Sequence, residues 1–374
     1  MVHRIITQQL LSNLKPCHVT ALFGARRTGK TVIMNSLKES LKEKKILLLN
    51  GEDHDVSAML SSQKQELLKS IIAGYDFVFI DEAQSIPNIG INLKIMVDSQ
   101  RETGFFVTGS ASFDLRNQIG EPLTGRSTFY YLYPFCMKEI TEEFLPAVQL
   151  LPQILIYGTY PQVFTEQNLL DKRRILDGIK NGYLLKDVLQ LDNLKDSVFV
   201  MNLLRLVAFQ IGNDISYNEM ANSLKTTVKT VQRYLDILEK SFIIFRINGF
   251  SRNLRKEISK SPRFYFWDNG IRNAVISNLN PMELRDDMGR LWENFLISER
   301  IKIQTYHQSF SNFYFWRTYD QQEIDLIEEN SGRLAAFEIK WGSRKTKPPV
   351  GFKKAYPESE YKTITRENFF GFIG

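Results

Sequence analysis

The sequence predicts an α/β protein whose N-terminal part is built on a parallel sheet, and three observations predict it. The segment Gly24-Ala25-Arg26-Arg27-Thr28-Gly29-Lys30-Thr31 joins an apolar pentapeptide, Val19 to Phe23, to a stretch in which Val32, Ile33, Leu37 and Leu41 fall at helical spacing. A second apolar run, Phe77-Val78-Phe79-Ile80, ends in the acids Asp81 and Glu82. The interval from Lys30 to Asp81 leaves room for that helix, a strand Ile46-Leu47-Leu48-Leu49 and a helix near Gln63 to Ile72, which is the spacing of a βαβαβ unit.

The first loop follows the pattern G-x-x-x-x-G-K-[ST], which specifies a phosphate cradle. Its glycines let the backbone N–H groups of residues 24 to 31 curl round a β-phosphate. Lys30 can reach β- and γ-oxygens, and the Thr31 hydroxyl can take a Mg²⁺ position. The phosphate then sits at a helix N-terminus, where the dipole favours it. ATP and Mg²⁺ are therefore the expected cofactors. Asp81, at a strand end, is expected to hold the metal and Glu82 to polarise the attacking water. A third strand, Phe105-Phe106-Val107, runs into Thr108-Gly109-Ser110-Ala111-Ser112, so Ser110 can sense a γ-phosphate. Arg126, after Leu123-Thr124-Gly125, is a fixed cation for transition-state charge in its own or a neighbouring subunit.

Composition agrees with an ordinary globular chain. With 374 residues, 43% hydrophobic and 24% charged, it can bury two or three cores. Two cysteines, Cys17 and Cys136, exclude a disulfide framework and a cysteine zinc site and suit a reducing compartment. The four histidines form no H-E-x-x-H pattern. The N-terminus lacks a long apolar segment and no run of about 18 apolar residues occurs, so a cytoplasmic protein without membrane contact is expected.

Pro134 and Pro152 bracket the end of the nucleotide-binding part, and Asn278 to Pro281 marks a later boundary. The expected order is 1–148, a P-loop ATPase domain; 149–205, a helical lid or linker; 206–280, a winged helix-turn-helix; and 281–374, an α/β module. In the second of these, Leu184, Leu185, Val188 and Leu189, then Val198, Leu203, Leu204 and Val207, fit amphipathic helices, and Lys172-Arg173-Arg174 reads as a solvated helix face.

The net charge is +6, and residues 225–272 hold eleven Lys and Arg against four acids, so this one segment carries the excess. That is the electrostatic footprint of a phosphate-backbone binder. Ile215 to Leu224 reads as a short capped helix, and a turn at Lys225 and Thr226 leads to a second helix. There Val228, Val231, Leu235 and Leu238 lie on one face and Lys229 and Arg233 on the other. Phe242 to Ile247 then reads as a wing strand, so Lys229 and Arg233 are the expected DNA contacts.

In the last module Met288, Leu291, Trp292, Phe295 and Leu296 make a packed helical stripe with Glu293 just beyond its edge. Strands follow at Phe313 to Arg317, Glu323 to Ile327 and Leu334 to Lys340, the aromatic residues of the first having the period of a sheet core. Strand alternation puts Glu338 and Lys340 on one side and Phe337 and Ile339 in the core.

Taken together, G-A-R-R-T-G-K-T, F-V-F-I-D-E-A-Q, T-G-S-A-S, L-T-G-R and Tyr133-Pro134-Phe135 resemble the AAA-type ATPases of bacteria and archaea that carry an uncharacterised C-terminal region. The likeness extends through Tyr157-Gly158-Thr159-Tyr160-Pro161, Phe264 to Gly270, Leu291 to Phe295, and Glu323-Ile324-Asp325 with Glu338-Ile339-Lys340. Tyr157 departs from it, since a glycine is usual there. Separately, an Asp followed thirteen residues later by Glu-x-Lys, with a Glu on an upstream helix, resembles the restriction-endonuclease-like fold. That resemblance implies that Asp325, Glu338 and Glu293 hold Mg²⁺ and that Lys340 activates water. The functional expectation is an ATPase that couples nucleotide state to DNA binding or processing. The alternative is a nucleotide-dependent switch or scaffold, homo-oligomeric or bound to a protein partner, with an inactive nuclease-like module.

Overall fold

The computed structural model describes residues 2–110, 119–184, 196–251 and 261–374. These divide into two compact units, Met1–Tyr133 with Lys240–Phe242, and Pro134–Glu239 with Ile243–Gly374. Among the sequence expectations, Ala111, Ser112, Leu185, Val188, Leu189, Arg252, Arg255, Lys256 and Lys260 lie outside the described residues.

The first unit is a five-stranded sheet, β1 (Val19–Phe23), β2 (Ile46–Asn50), β3 (Phe77–Asp81), β4 (Gly104–Gly109) and β5 (Ser127–Tyr131), in the order β2-β3-β4-β1-β5 with every pairing parallel. Its inner strands β1, β3 and β4 are buried throughout, which explains why they read as continuous apolar runs. The helix Lys30–Ser40 packs through Ile33, Met34 and Leu37. Ile33 and Leu37 are buried as expected, whereas Val32 points outward at 53% exposure and Met34 takes its place in the stripe.

The sheet order has one functional consequence. Because β4 lies between β1 and β3, the loop after β1, the end of β4 and the acids after β3 open on the same sheet edge. Ligands of open α/β sheets bind outside the carboxyl ends of the strands.

The second unit holds a six-stranded mixed sheet: β6 (Ile244–Gly249), β7 (Arg263–Phe266), β8 (Asn312–Arg317), β9 (Glu323–Asn330), β10 (Arg333–Ile339) and β11 (Glu360–Ile364), in the order β11-β10-β9-β8-β6-β7. Strand β6 pairs with β7 antiparallel and with β8 parallel, so the sheet runs across the 280/281 boundary suggested by the Asn/Pro punctuation. Ahead of β6 come helices Ser197–Phe209, Tyr217–Ser223 and Val228–Lys240. Ser216 caps the second by accepting from Glu219 N, and Lys225 turns the chain with φ 52°.

The division between units falls at Tyr133/Pro134, the first of the two bracketing prolines, and Pro152 sits inside the helix Phe144–Tyr157. One expectation fails here: Lys172 is not solvated. It is 2% exposed, on the inward face of Leu169–Gly178 with Leu176, and its Nζ donates to Val163 O at 2.7 Å. A lysine can be buried when its ammonium finds a carbonyl; Arg173 and Arg174 stay exposed.

Candidate functional site

The sharp turn after β1 is built by two glycines, one held by a close backbone contact and the other by its positive φ. A Cβ on Gly24 would lie 2.2 Å from Leu132 O, and Gly29 caps the following helix with φ 100°. Thr28 is buried and its Oγ1 donates to Ala25 O at 2.8 Å, while Arg26 pairs with Glu52 at 3.4 Å and Arg27 adopts φ 65°. Arg4, which no motif flagged, braces the loop: Nη1 donates to Thr28 O at 3.0 Å and Nη2 to Tyr133 O at 2.6 Å.

Lys30 is 4% exposed, with Nζ donating to Gly24 O at 3.0 Å and Ala25 O at 3.1 Å. Its ammonium is thus folded back over its own loop. Thr31 Oγ1 donates to Asp81 Oδ2 at 2.8 Å, bringing the loop and the end of β3 together. The other Asp81 oxygen accepts from Thr108 Oγ1, which itself accepts from Glu82 N at 3.1 Å. Glu82 adopts a left-handed turn with φ 51°. Gln84 Nε2 donates to Glu82 Oε2 and to Ser110 Oγ at 3.1 Å, and Gln84 Oε1 accepts from Ser110 N at 3.3 Å.

Thr31, Asp81, Glu82 and Ser110 are therefore gathered beside the loop. Thr108 and Gln84 were missed as participants. The one available signal was their place in the sequence, a polar residue ending the intervening strand and an amide two residues after Glu82.

Arg126 goes elsewhere. It precedes β5, its carbonyl accepts from Val19 N at 2.9 Å, and its guanidinium is paired with Asp98. Strand β5 runs alongside β1 with Ser127 beside Val19, so Arg126 is at the end of the sheet opposite Gly24. At about 3.3 Å per residue the separation is on the order of 15 Å. This distance removes the own-subunit alternative for Arg126.

The second unit brings Asp325, Glu338 and Lys340 together as strand alternation requires. Lys340 Nζ pairs with Glu338 Oε1 at 2.6 Å, Asp325 Oδ2 accepts from Ile339 N at 2.7 Å, and Glu338 Oε2 is buried with no hydrogen-bond partner among the described residues. Glu293 reaches the group from the helix Met288–Tyr306 and accepts from Tyr265 OH at 2.8 Å. Burial, reinforced by Glu293 and Glu338, pushes the Asp325 carboxyl well up. Burial also raises Glu293 to about 7 against the pull of Arg263. Burial opposes the charge on Lys340, but Asp325, Glu338 and Glu293 outweigh it and its pKa rises.

Electrostatically this is one cluster, yet its oxygens are partly engaged by Ile339 N and Lys340. Among the described residues no three His, Cys, Asp or Glu side chains are arranged to hold a metal ion, which differs from the expected Glu293, Asp325 and Glu338 set.

Lys229 and Arg233 are exposed on the helix Val228–Lys240, opposite buried Val231, Leu235 and Leu238. The basic excess around them is smaller in space than in sequence. Arg263 is buried against Asp214 and Glu323, Arg272 against Asp287, and Arg246 pairs with Asp236 and Glu239.

Comparison with known proteins defines the class of the first unit. Residues 17–141 match the AAA domain, so this part of the chain is an AAA-type P-loop domain. Residues 148–283 and 288–369 match two domains of unknown function, DUF8612 and DUF4143. An uncharacterized protein of Mycobacterium tuberculosis is 27% identical over 325 residues, covering 86% of this chain and 70% of the relative. One from Haemophilus influenzae is 22% identical over 376 residues, covering 93% and 90%. One from Methanocaldococcus jannaschii is 24% identical over 349 residues, covering 87% and 76%.

Among solved structures, the Pif1 helicase of Candida albicans aligns over 48% of each chain at 12% identity and TM-score 0.29. Drosophila ORC bound to DNA aligns over 73% of this chain and 93% of that one at 10% identity and TM-score 0.26. At such scores neither likeness carries an argument. Among the described residues no helix is long and apolar enough to cross a membrane.

Proposed function

We propose that this chain binds and hydrolyses ATP with Mg²⁺ and couples its nucleotide state to nucleic-acid binding by the C-terminal unit. The observation that carries the reading is the convergence of Lys30, Thr31, Asp81, Glu82 and Ser110 on one edge of the first sheet. Lys30 swings from the Gly24 and Ala25 carbonyls to the β- and γ-oxygens, and the loop N–H groups hold the β-phosphate. The Thr31 hydroxyl and Asp81 carboxylate, already 2.8 Å apart, are a hard-oxygen pair that fits Mg²⁺. Bound there, Mg²⁺ would neutralise charge developing on the phosphates. Glu82 orients and polarises the attacking water, Ser110 senses the γ-phosphate, and Gln84 positions Glu82 relative to Ser110. Arg126 acts on a neighbouring subunit.

Calorimetry with ATP and magnesium, paired with phosphate release, tests this. The wild type should bind and turn over. Lys30→Ala should lose about 10²-fold or more in affinity, the worth of two charge-assisted hydrogen bonds. Glu82→Gln should bind normally and release no phosphate. No heat from the wild type would end the ATPase reading.

For the C-terminal cluster, the engagement of Asp325 by Ile339 N and of Glu338 by Lys340 favours a second reading: a nuclease-like module that recognises without cutting. Cleavage of DNA with Mg²⁺ or Mn²⁺ that is abolished by Lys340→Ala would restore the catalytic role for Lys340 and the metal role for Glu293, Asp325 and Glu338. Lys229 and Arg233 are proposed DNA contacts of a winged helix-turn-helix.

A further inference from the structure

Immediately after Lys340 the chain crosses the C-terminal sheet as a strap, residues 341–354, containing Arg344, Lys345, Lys347, Lys353 and Lys354 and no acid. All five cations are exposed. Among the described residues none of the five makes a side-chain ion pair or hydrogen bond, in contrast to Arg246, Arg263 and Arg272. The strap is nevertheless fixed. Thr346 N donates to Thr363 Oγ1 at 3.0 Å, Gly351 N donates to Gln322 Oε1 at 2.9 Å, and Phe352 is fully buried with its ring 5.2 Å from that of Trp316.

Phe352 shares a core with Leu334 and Ala336 of β10. Strand alternation therefore places Glu338 and Lys340 on the sheet face that the strap crosses. The Thr346 hydroxyl also contacts Tyr361 OH at 2.9 Å, on the strand neighbouring β10. Lys347, Lys353 and Lys354 line an open depression of about 490 Å³ together with Pro348 and Val350, the latter 80% exposed. Holding five like charges together on an anchored segment is unfavourable by itself and is relieved by a polyanion. Exposed lysines beside exposed apolar Pro348 and Val350 suit a phosphodiester backbone with its sugars against those apolar groups.

We propose that this strap is a nucleic-acid backbone site of the C-terminal unit. The inference deepens the nucleic-acid half of the proposed function and moves its principal contact from Lys229 and Arg233 to Lys347, Lys353 and Lys354.

The test measures anisotropy of labelled mixed-sequence oligonucleotides, single-stranded and duplex, with the full chain between about 50 and 200 mM salt. The variants are Lys347→Gln/Lys353→Gln/Lys354→Gln and a charge-matched control, Lys42→Gln/Lys64→Gln/Lys69→Gln. Tryptophan-detected melting serves as the folding check, since all four tryptophans lie in the same compact unit as the strap. The strap triple should weaken binding about tenfold or more and reduce the log–log salt slope by about 2 to 3, since each phosphate contact contributes roughly 0.9. The control should stay within about twofold.

Unchanged binding by the strap triple, or an equal loss in the control, overturns the proposal and leaves the rest of the function standing. So does polyglutamate binding as tightly with the same strap dependence, which would assign the strap to acidic proteins. A wild type that binds ATP but neither oligonucleotide sinks both this proposal and the nucleic-acid half of the function.

Discussion

Glu293 makes the stability of the C-terminal unit depend on pH, and Glu293→Gln reads out the effect together with the relief of its neighbour Asp325. Its carboxyl is raised from 4.5 to about 7, chiefly by burial, with Glu323 adding repulsion and Arg263 and Tyr265 opposing. The folded state therefore holds a proton that the unfolded state releases first. Relative to a neutral side chain, this contributes fully below pH 4.5 and is lost as pH rises through about 7. At about 1.4 kcal/mol per pH unit, the displacement amounts to about 3 kcal/mol between pH 4.5 and 8. For a unit of this size that is roughly 6 to 12 °C in melting temperature.

All four tryptophans, Trp267, Trp292, Trp316 and Trp341, lie in this unit, so their fluorescence follows its unfolding alone. Glu239, also raised to about 7, is present in both proteins and cancels in the difference. Melts of wild type and Glu293→Gln should diverge as pH rises, the variant gaining several degrees by pH 8. Parallel curves across that range would refute the reasoning, because they would mean that Glu293 titrates alike in the folded and unfolded chain.

Gln84→Ala removes the amide that joins Glu82 to Ser110. Phosphate release in a single turnover should fall about 10²-fold, the usual cost of misplacing a reacting group, while ATP affinity by calorimetry stays within about threefold. Unaltered release would take Gln84 out of the site. Gly158→Ala places a Cβ 2.0 Å from Asp268 Oδ1 at a residue with φ 73°, in the turn that Asp268 ties by accepting from Thr159 N and Ile271 N. The left-handed strain and the displaced carboxylate together cost about 3 kcal/mol or more. Tryptophan-detected melting should drop by several degrees, and an unchanged midpoint would show that the turn relaxes freely.

Much of the first unit is legible in the sequence because its determinants are local. Gly24 and Gly29 answer to backbone clash and positive φ, and β1, β3 and β4 to burial on both faces. The stripe from Met288 to Leu296 and the alternation at Glu338 and Lys340 are equally local, set by the helix and strand periods.

Charge is the property that sequence reading handles poorly. Residues 225–272 count as a basic segment, yet Arg263 and Arg272 point inward to carboxylates from other elements, and Lys172 spends its ammonium on Val163 O. Conversely, the strap at 341–354 keeps its cations unpaired among the described residues.

By itself, then, the sequence determined the phosphate loop, the acids that face it and the periodicity of each element, since these rest on residue type and short spacing. Only the tertiary structure decided which strand lies between the loop and the acids, that Gln84 spans Glu82 and Ser110, and that Arg126 stands at the far end of the sheet. Strand order and the partners of long charged side chains are set by packing between distant segments. A linear pattern of residues does not encode that packing.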